Sequence, residues 1–191
     1  MRYKKISIEE CGGVYSPRED SLLLSGAVEE YAFGRVLDLG TGTGIQGIIA
    51  AKKGCTVAFA DIDGNALKCA SENAKSNGVY GEFIETDMFS NIKGKFDTII
   101  FNPPYLDSKS PSQHKRRDYA LDGGADGREL INTFLNTYSA FLEVGGIALL
   151  VESGFNSYER DVKEHGAVVI SKEHYFFEDI VVLLLNARPG G

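Results

Sequence analysis

The stretch Asp38-Leu39-Gly40-Thr41-Gly42-Thr43-Gly44 decides the fold, because it joins a short apolar run to a segment with helical periodicity. Its three alternating glycines let the backbone turn tightly and approach a ligand with no Cβ in the way. The first N–H groups of the following helix have no partners inside that helix, so they are free to bind a ligand at the loop. The stretch therefore predicts a strand, a ligand-binding loop and a helix, in that order.

Strands and helices alternate along the rest of the chain. Apolar, β-branched runs predict strands at residues 35–39, 56–60, 82–85, 96–101, 147–152, 167–171 and 179–186. Periodic segments predict helices after Pro17 and at residues 44–53, 65–76, 126–143 and 158–164. The last two strands lie too close together for a helical crossover, so they should pair as an antiparallel hairpin. We therefore predict one α/β domain over residues 1–191, with a Rossmann-like, doubly wound, mostly parallel, seven-stranded sheet that ends in a C-terminal antiparallel hairpin.

The composition disfavours several classes of protein. The net charge of −7 disfavours non-specific nucleic-acid binding, because phosphates attract Lys and Arg. No apolar run is long enough to cross a membrane, and the basic N-terminus lacks the apolar core of a signal peptide, so we expect a cytoplasmic protein. Cys11, Cys55 and Cys69 lack C-x-x-C spacing, and no histidine lies at ligand spacing from them. The sequence therefore predicts neither a disulfide framework nor a metal site.

Carboxylates follow two further predicted strands, at the edge where open α/β sheets bind ligands. Asp61 could accept hydrogen bonds from ribose hydroxyls, as in NAD enzymes, whereas the alternative role of capping the next helix suits Asp63 better. Asp87 could accept from an adenine amino group while Met88 or Phe89 covers the ring, although an aspartate in a turn is common. These positions favour a nucleoside cofactor. The glycine loop also fits G-x-G-x-x-G, so by itself it does not separate NAD from S-adenosylmethionine.

The tetrapeptide Asn102-Pro103-Pro104-Tyr105 follows the strongest predicted strand. An amide or aromatic amine nitrogen is a weak nucleophile because its lone pair is delocalised. The side-chain oxygen of Asn102 and a backbone carbonyl of the Pro103-Pro104 segment could both accept from such an NH2 group, which would orient its lone pair and stabilise the developing charge. Tyr105 could stack on the planar target. The sequence therefore predicts methyl transfer from S-adenosylmethionine to a planar NH2 group by in-line displacement.

The glycine stretch and this tetrapeptide together resemble the class I methyltransferases that act on exocyclic or amide NH2 groups. Two further segments resemble the HemK-type glutamine methyltransferases, in particular their short eukaryotic and archaeal branch. They are Val14-Tyr15-Ser16-Pro17-Arg18-Glu19-Asp20-Ser21 and Leu121-Asp122-Gly123-Gly124-Ala125-Asp126-Gly127-Arg128. The resemblance covers nearly the whole chain. It implies N5-methylation of the glutamine in the Gly-Gly-Gln motif of a peptide-chain release factor.

The resemblance also implies the site residues. The residues expected to contact the cofactor are Tyr15, Asp20, Ser21, Asp38, Gly40, Gly42, Gly44, Asp61, Asp87, Met88 and Asn102. The residues expected to contact the substrate are Asn102, Pro103, Pro104, Tyr105 and Leu106, of which the first four form the catalytic tetrapeptide.

The resemblance raises a question about partners. Bacterial members carry an N-terminal helical domain that grips the release factor, and too few residues precede Tyr15 for one. The short branch is similar to enzymes that work with a small zinc-binding activator of the Trm112 type. Residues 82–85 would form the edge strand of the sheet, and an uncovered edge invites strand addition. A heterodimer with such an activator is therefore a hypothesis.

Three alternatives remain open. An adenine-N6 or guanine-N2 nucleic-acid methyltransferase would use the same tetrapeptide, but it needs a basic surface. The basic residues cluster only at Lys109, His114, Lys115, Arg116 and Arg117, which could equally be a solvated loop. An NAD-dependent dehydrogenase fits the glycine loop and Asp61 but not the tetrapeptide or the hairpin. A non-catalytic scaffold with a methyltransferase fold would not need the intact tetrapeptide.

Overall fold

A computed structural model describes residues 1–104, 128–175 and 178–187. The strands are β1 (Arg2–Tyr3), β2 (Ile6–Ser7), β3 (Arg35–Leu39), β4 (Thr56–Asp61), β5 (Glu82–Glu85), β6 (Phe96–Phe101), β7 (Leu142–Ser153), β8 (Val168–Tyr175) and β9 (Glu178–Asn186). The α-helices are α1 (Glu19–Tyr31), α2 (Ile45–Lys52), α3 (Gly64–Ser76), α4 (Glu129–Thr137) and α5 (Tyr158–His165). Within these ranges, no helix is both long enough and apolar enough to span a bilayer.

Seven strands form one twisted sheet in the order β5-β4-β3-β6-β7-β9-β8. Strands β3 to β7 pair in parallel, whereas β9 runs antiparallel to both β7 and β8. The predicted doubly wound sheet with a C-terminal antiparallel hairpin is confirmed. The carboxyl ends of β3, β4, β5 and β6 all reach one edge, so the loops that follow them meet there.

Two apolar layers cover the sheet. Neighbouring residues of β3 point to opposite faces, as the two-residue period of a strand requires, and place Val36 in one layer and Leu37 in the other. Helices α1 to α3 fill the first layer with side chains such as Leu24 and Ile48. Helix α4 fills the second with side chains that include Phe134. Strands β3, β4 and β6 are therefore buried on both faces and fix the position of the residues at their ends.

The helix expected to extend to residue 143 ends earlier. Helix α4 stops at Thr137, a 3-10 turn covers Tyr138–Phe141, and β7 already begins at Leu142. Leu142 pairs with Phe96, and the register then shifts before Thr98. Gly145 and Gly146 thus lie inside an irregular strand and do not precede it. A Cβ on Gly146 would lie 2.9 Å from the carbonyl oxygen of Glu143. Close packing therefore requires glycine at this position, whereas the sequence pattern Gly145-Gly146 had indicated a turn.

The prediction of no disulfide was wrong. Cys11 and Cys69 form a disulfide across a sequence separation of 58 residues. The chain before α1 lies along α3, because the side chains of Asn73 and Asn77 bind the backbone of Glu9 and Ser7. One turn before Asn73, Cys69 then meets Cys11. Spacing rules for cysteine test local patterns, and this pairing is created by packing.

Candidate active site

A cavity of about 360 Å³ opens at the carboxyl edge of the sheet. It lies over the ends of β3, β4 and β6, where open α/β sheets bind ligands. The lining residues come from the segment before α1, the glycine loop and the loops after β4, β5 and β6, together with residues of the helices, including α1, α2 and α4. Among them are Val14, Tyr15, Ser21, Asp38, Gly40, Gly42, Gln46, Asp61, Ile62, Asp87, Met88, Asn102, Pro104 and Leu130.

The glycine loop is held in shape by Asp38. Gly40 has a φ of 63° and Gly42 a φ of 53°, in the left-handed region that favours glycine. Asp38 is buried, and its Oδ2 accepts from the Thr41 hydroxyl at 2.6 Å and from the Gly47 N–H at 2.9 Å. Burial raises the pKa of Asp38 to about 7, although both hydrogen bonds oppose that rise. Asp38 lines the cavity, but its Oδ2 is already hydrogen-bonded to the loop and to the start of α2.

Asp61 connects the loop to the second strand. Its Oδ2 accepts from the Gly42 N–H at 2.9 Å and its Oδ1 accepts from the Asp63 N–H at 3.0 Å. Burial raises the pKa of this carboxyl, and the backbone hydrogen bonds oppose the rise. Each carboxylate oxygen has a second lone pair, so Asp61 can still accept from a ligand. Asp63 caps α3 by accepting from the Asn65 N–H, as predicted.

The loop after β5 contributes an exposed acid and an apolar side chain. Asp87 and Met88 both line the cavity, and Met88 has a φ of 48°. The sequence allowed either Met88 or Phe89 to cover a ring. The ring of Phe89 is instead buried against Phe134 and Phe141, so it does not cover the cavity. Of the two candidates for covering a ring, only Met88 is placed to do so.

Asn102 has a fixed orientation. Its Nδ2 donates to the Oδ2 of Asp20 at 2.9 Å, and the other oxygen of Asp20 accepts from the hydroxyls of Tyr15 and Ser21 at 3.0 and 3.3 Å. Burial, and then the charge of Asp20, raise the pKa of Tyr15 far above its usual range, so that its hydroxyl remains a donor. A carboxylate only accepts, so the NH2 of Asn102 must face Asp20.

The oxygen of that amide therefore points the other way. Oδ1 of Asn102 is buried and accepts no hydrogen bond from the described residues. Few buried acceptors lack partners, and an unpaired one at a cavity indicates a missing donor. The site thus presents a preoriented acceptor beside a strand end that continues into Pro103 and Pro104.

The structure brings most of the predicted residues together and separates a few. Gly44 does not line the cavity. It lies directly before α2 with a φ of 83°, and a Cβ at this position would lie 3.0 Å from the Cβ of Ala70. Asp20 and Pro103 also do not line it, and Asp20 acts through Asn102. Some of the predicted residues lie outside the described residues: Tyr105, Leu106 and the basic cluster Lys109, His114, Lys115, Arg116 and Arg117. The part of the chain that the structure describes holds no group of three or more metal-ligating side chains.

Sequence reasoning missed some of the lining residues. Ile62, Gln46 and Leu130 line the cavity although none of them belongs to a polar motif. Ile62 is exposed in the structure, and the signal available in the sequence was an apolar residue directly after the carboxylate that ends β4. Gln46 donates to the Ser21 carbonyl at 2.8 Å and so joins α2 to α1.

A buried polar cluster beside the site was also missed. Arg128 precedes α4 and donates to both carboxylate oxygens of Asp161 at 2.7 and 2.9 Å. The Arg128 guanidinium lies 3.5 Å from the carboxylate of Glu152, near the end of β7, and the pKa of Glu152 is raised by burial and then by the charge of Asp161. Arg128 also donates to the carbonyl of Asn156. This cluster joins α4, the carboxyl end of β7 and α5.

The fold is that of known methyltransferases. A methyltransferase from Pyrococcus furiosus superposes with a TM-score of 0.72 at 19% identity, covering 97% of this chain and 91% of that one. The 16S rRNA N2 G1207 methyltransferase of Thermus thermophilus, solved with AdoMet and guanosine, superposes with a TM-score of 0.64 at 22% identity over 91% of this chain and 44% of that one. The protein has the fold of the S-adenosylmethionine-dependent methyltransferases.

The chain belongs to the Methyltransferase small domain family, whose model matches residues 5–118. It is 39% identical to a Methanocaldococcus jannaschii protein provisionally named a protein N5-glutamine methyltransferase, over 79% of this chain and 78% of the relative. It is 37% identical to the release factor glutamine methyltransferase of Agrobacterium fabrum and 33% identical to the ribosomal RNA small subunit methyltransferase C of Haemophilus influenzae. These two matches cover 72% and 69% of this chain but only 51% and 43% of the relatives, so the chain spans about half the length of each.

Proposed function

We propose that this protein transfers a methyl group from S-adenosylmethionine to the side-chain NH2 of the glutamine in the Gly-Gly-Gln motif of a peptide-chain release factor. The observation that carries the proposal is the buried Oδ1 of Asn102, which accepts no hydrogen bond from any residue that the structure describes. An acceptor held in this orientation matches an N–H of a planar amide. The names of the Methanocaldococcus jannaschii and Agrobacterium fabrum relatives support glutamine as the target.

The described residues fit the cofactor. The cavity of about 360 Å³ combines glycines that admit a ligand to the backbone with carboxylates and apolar side chains. Asp61, Ile62, Asp87 and Met88 line this cavity; Asp61 would accept from ribose hydroxyls, Asp87 would accept from an amino group, and Ile62 and Met88 would cover a ring. S-adenosylmethionine, when bound, supplies an electrophilic methyl group.

The residues of the chain then orient the nucleophile. Asn102 Oδ1 accepts one N–H of the target amide, and a carbonyl of the Pro103-Pro104 segment accepts the other, so the nitrogen lone pair faces the cofactor side of the cavity. Both acceptors stabilise positive charge as it grows on nitrogen, and Asp20 keeps Asn102 from turning. No strong base is needed before transfer, because the nitrogen loses its proton afterwards.

The second candidate substrate is an exocyclic amine of a nucleic acid. The Haemophilus influenzae relative, named as a ribosomal RNA methyltransferase, supports it. The same two acceptors would bind a guanine or adenine amine. The net charge of −7 argues against it, because an RNA substrate rewards cationic surfaces. A non-catalytic scaffold is the weaker alternative, since it gives no role to an oriented acceptor.

The edge strand β5 is the contact that we propose for an activator. Strand β5 ends the sheet, so one side of its backbone has no strand partner among the described residues. Tyr80, just before β5, is 91% exposed. We propose that a small zinc-binding activator of the Trm112 type adds a strand here. Tyr80→Asp should weaken copurification, whereas Val144→Asp, at another fully exposed position, should not. A fully active monomer would contradict the heterodimer.

The test is transfer of labelled methyl to the release factor of the same organism, with and without the activator. The control substrate carries Asn in place of the Gly-Gly-Gln glutamine, and the control enzyme is Asn102→Ala. Label that requires both the glutamine and Asn102 supports the proposal. Label on ribosomal RNA and none on the release factor would move the assignment to the second candidate. Because the proposed substrate acts on ribosomes, we also propose a cytoplasmic location.

A further inference from the structure

A tight turn follows β7 at the carboxyl edge of the sheet. Strands β6 and β7 run parallel with Phe101 opposite Leu150. Strand β6 ends at Phe101, whereas β7 runs on to Ser153. Because the two strands are parallel neighbours, the segment after β6 and the 3-10 turn Gly154–Asn156 after β7 leave the sheet at the same carboxyl edge.

The backbone of this turn is fixed from both ends. Ser153 Oγ accepts from the Phe155 N–H at 3.2 Å, and Asn156 Oδ1 accepts from the Ser153 N–H at 3.2 Å. Arg128, held by buried Asp161, donates to the carbonyl of Asn156. Ser153 and Asn156 are both buried. The turn thus belongs to the same rigid unit as β7.

Phe155 projects from this fixed turn and is 70% exposed. Its neighbours in the turn bury their polar groups, while the one large apolar side chain faces solvent. An aromatic side chain has few rotatable bonds, so a ring on a rigid turn gains contact area at low entropic cost. These are the properties of an anchor for a binding partner.

The charges around the turn indicate the kind of partner. Ser153 Oγ donates to Glu178, and Glu159 lies in the first turn of α5 and is exposed. Glu178 binds the same Ser153 hydroxyl that accepts from the Phe155 N–H, and a carboxylate there repels a phosphate backbone, so a nucleic-acid strand is a poor match. A peptide segment with an apolar side chain fits both the ring and the charge.

We infer that Phe155 binds the protein segment next to the target glutamine and so determines substrate specificity. This inference rests on the proposed function. The turn holds the ring at the same edge of the sheet as Asn102, so an apolar side chain near the glutamine packs on it while the glutamine amide reaches Asn102. Phe155 contributes to substrate affinity and takes no part in the chemical step.

The experiment compares steady-state transfer to the whole release factor by the wild-type protein and by Phe155→Ala. We expect KM for the release factor to rise about tenfold or more, with kcat and cofactor affinity unchanged, as for loss of an aromatic anchor. Phe155→Tyr should restore the wild-type KM and Phe155→Leu should be intermediate. The control is Val144→Ala, which truncates a fully exposed apolar side chain within β7 and outside the turn.

Each outcome separates the inference from the proposed function. An unchanged KM in Phe155→Ala, with wild-type transfer to the glutamine, overturns the inference alone. A fall in kcat or cofactor affinity together with the melting temperature identifies a structural role and also overturns it. If the wild-type protein does not label the release factor, the proposed function fails and the inference falls with it. If Phe155→Ala weakens labelling of RNA instead, the ring contacts a base and the peptide assignment is wrong.

Discussion

The substitution Asp20→Asn tests the orientation of Asn102 with almost no change in shape. In the native site, one oxygen of Asp20 accepts from Tyr15 and Ser21, and the other accepts from Nδ2 of Asn102. With an amide at position 20, the two hydroxyl donors keep the carbonyl on their side. The new NH2 then faces the NH2 of Asn102, where two donors meet at about the present distance of 2.9 Å.

The expected size of the effect follows from this conflict. Asn102 relieves the clash by turning its amide over, which gives its oxygen to position 20 and its NH2 to the substrate. Turning the amide replaces a contact between two donors with a hydrogen bond, which favours the turned orientation by about 2–3 kcal/mol. The productive orientation is then held by roughly one molecule in a hundred. We therefore expect kcat to fall about 100-fold, with cofactor affinity nearly unchanged.

The assay is single-turnover methyl transfer to the release factor, with cofactor binding measured separately by calorimetry. The double substitution Asp20→Asn with Asn102→Asp is the matched rescue. It exchanges donor and acceptor, so the new carboxylate at position 102 again presents an oxygen to the target. We expect it to recover about tenfold over Asp20→Asn alone, from the restored acceptor. Wild-type turnover in Asp20→Asn would refute the proposed role of the Asp20–Asn102 pair.

Three further predictions concern the loop, the disulfide and pH. Gly42→Ala and Gly54→Ala both place a Cβ in open space at a left-handed φ, at about 1–2 kcal/mol of stability, but only Gly42 lines the cavity. Calorimetry should show weaker cofactor binding for Gly42→Ala alone. Cys11→Ser should lower the free energy of unfolding by at most about 4 kcal/mol, because the disulfide closes a loop of 58 residues; equal stability of the variant and the oxidised wild type would contradict this. Because the pKa of Asp38 rises from 3.8 to about 7, the folded state holds its proton more tightly than the unfolded chain. Its contribution is therefore complete below about pH 4 and is lost, by about 4 kcal/mol, as pH rises to about 7. Urea unfolding of the wild type and Asp38→Asn should show the two stabilities diverge over that range; parallel curves would mean that the native pKa is not raised.

Local sequence patterns were sufficient for most of the fold. The strands at residues 35–39, 82–85 and 96–101 have the predicted bounds, because each is a short segment with apolar residues that is followed within two residues by Gly, Asp or Pro. The end of α4 was predicted too late, because the pairing of Leu142 with Phe96 belongs to a distant strand. A helical pattern cannot report a competing strand contact.

The candidate site divides in the same way. Sequence alone placed Gly40, Gly42, Asp61 and Asn102 at strand ends, and a parallel sheet must bring such ends to one edge. It named these residues without showing what each one binds.

Tertiary structure decided what the site can do. The carboxylate of Asp20 and the amide of Asn102 are 82 residues apart, and only packing of α1 against the end of β6 brings them to 2.9 Å. The Cys11–Cys69 bond and the Arg128 cluster arise in the same manner, from segments that meet only after folding. Sequence periodicity determines which face of an element is buried, since that preference is local. Hydrogen-bond direction and the exposure of Phe155 depend on distant neighbours, so only the folded chain determines them.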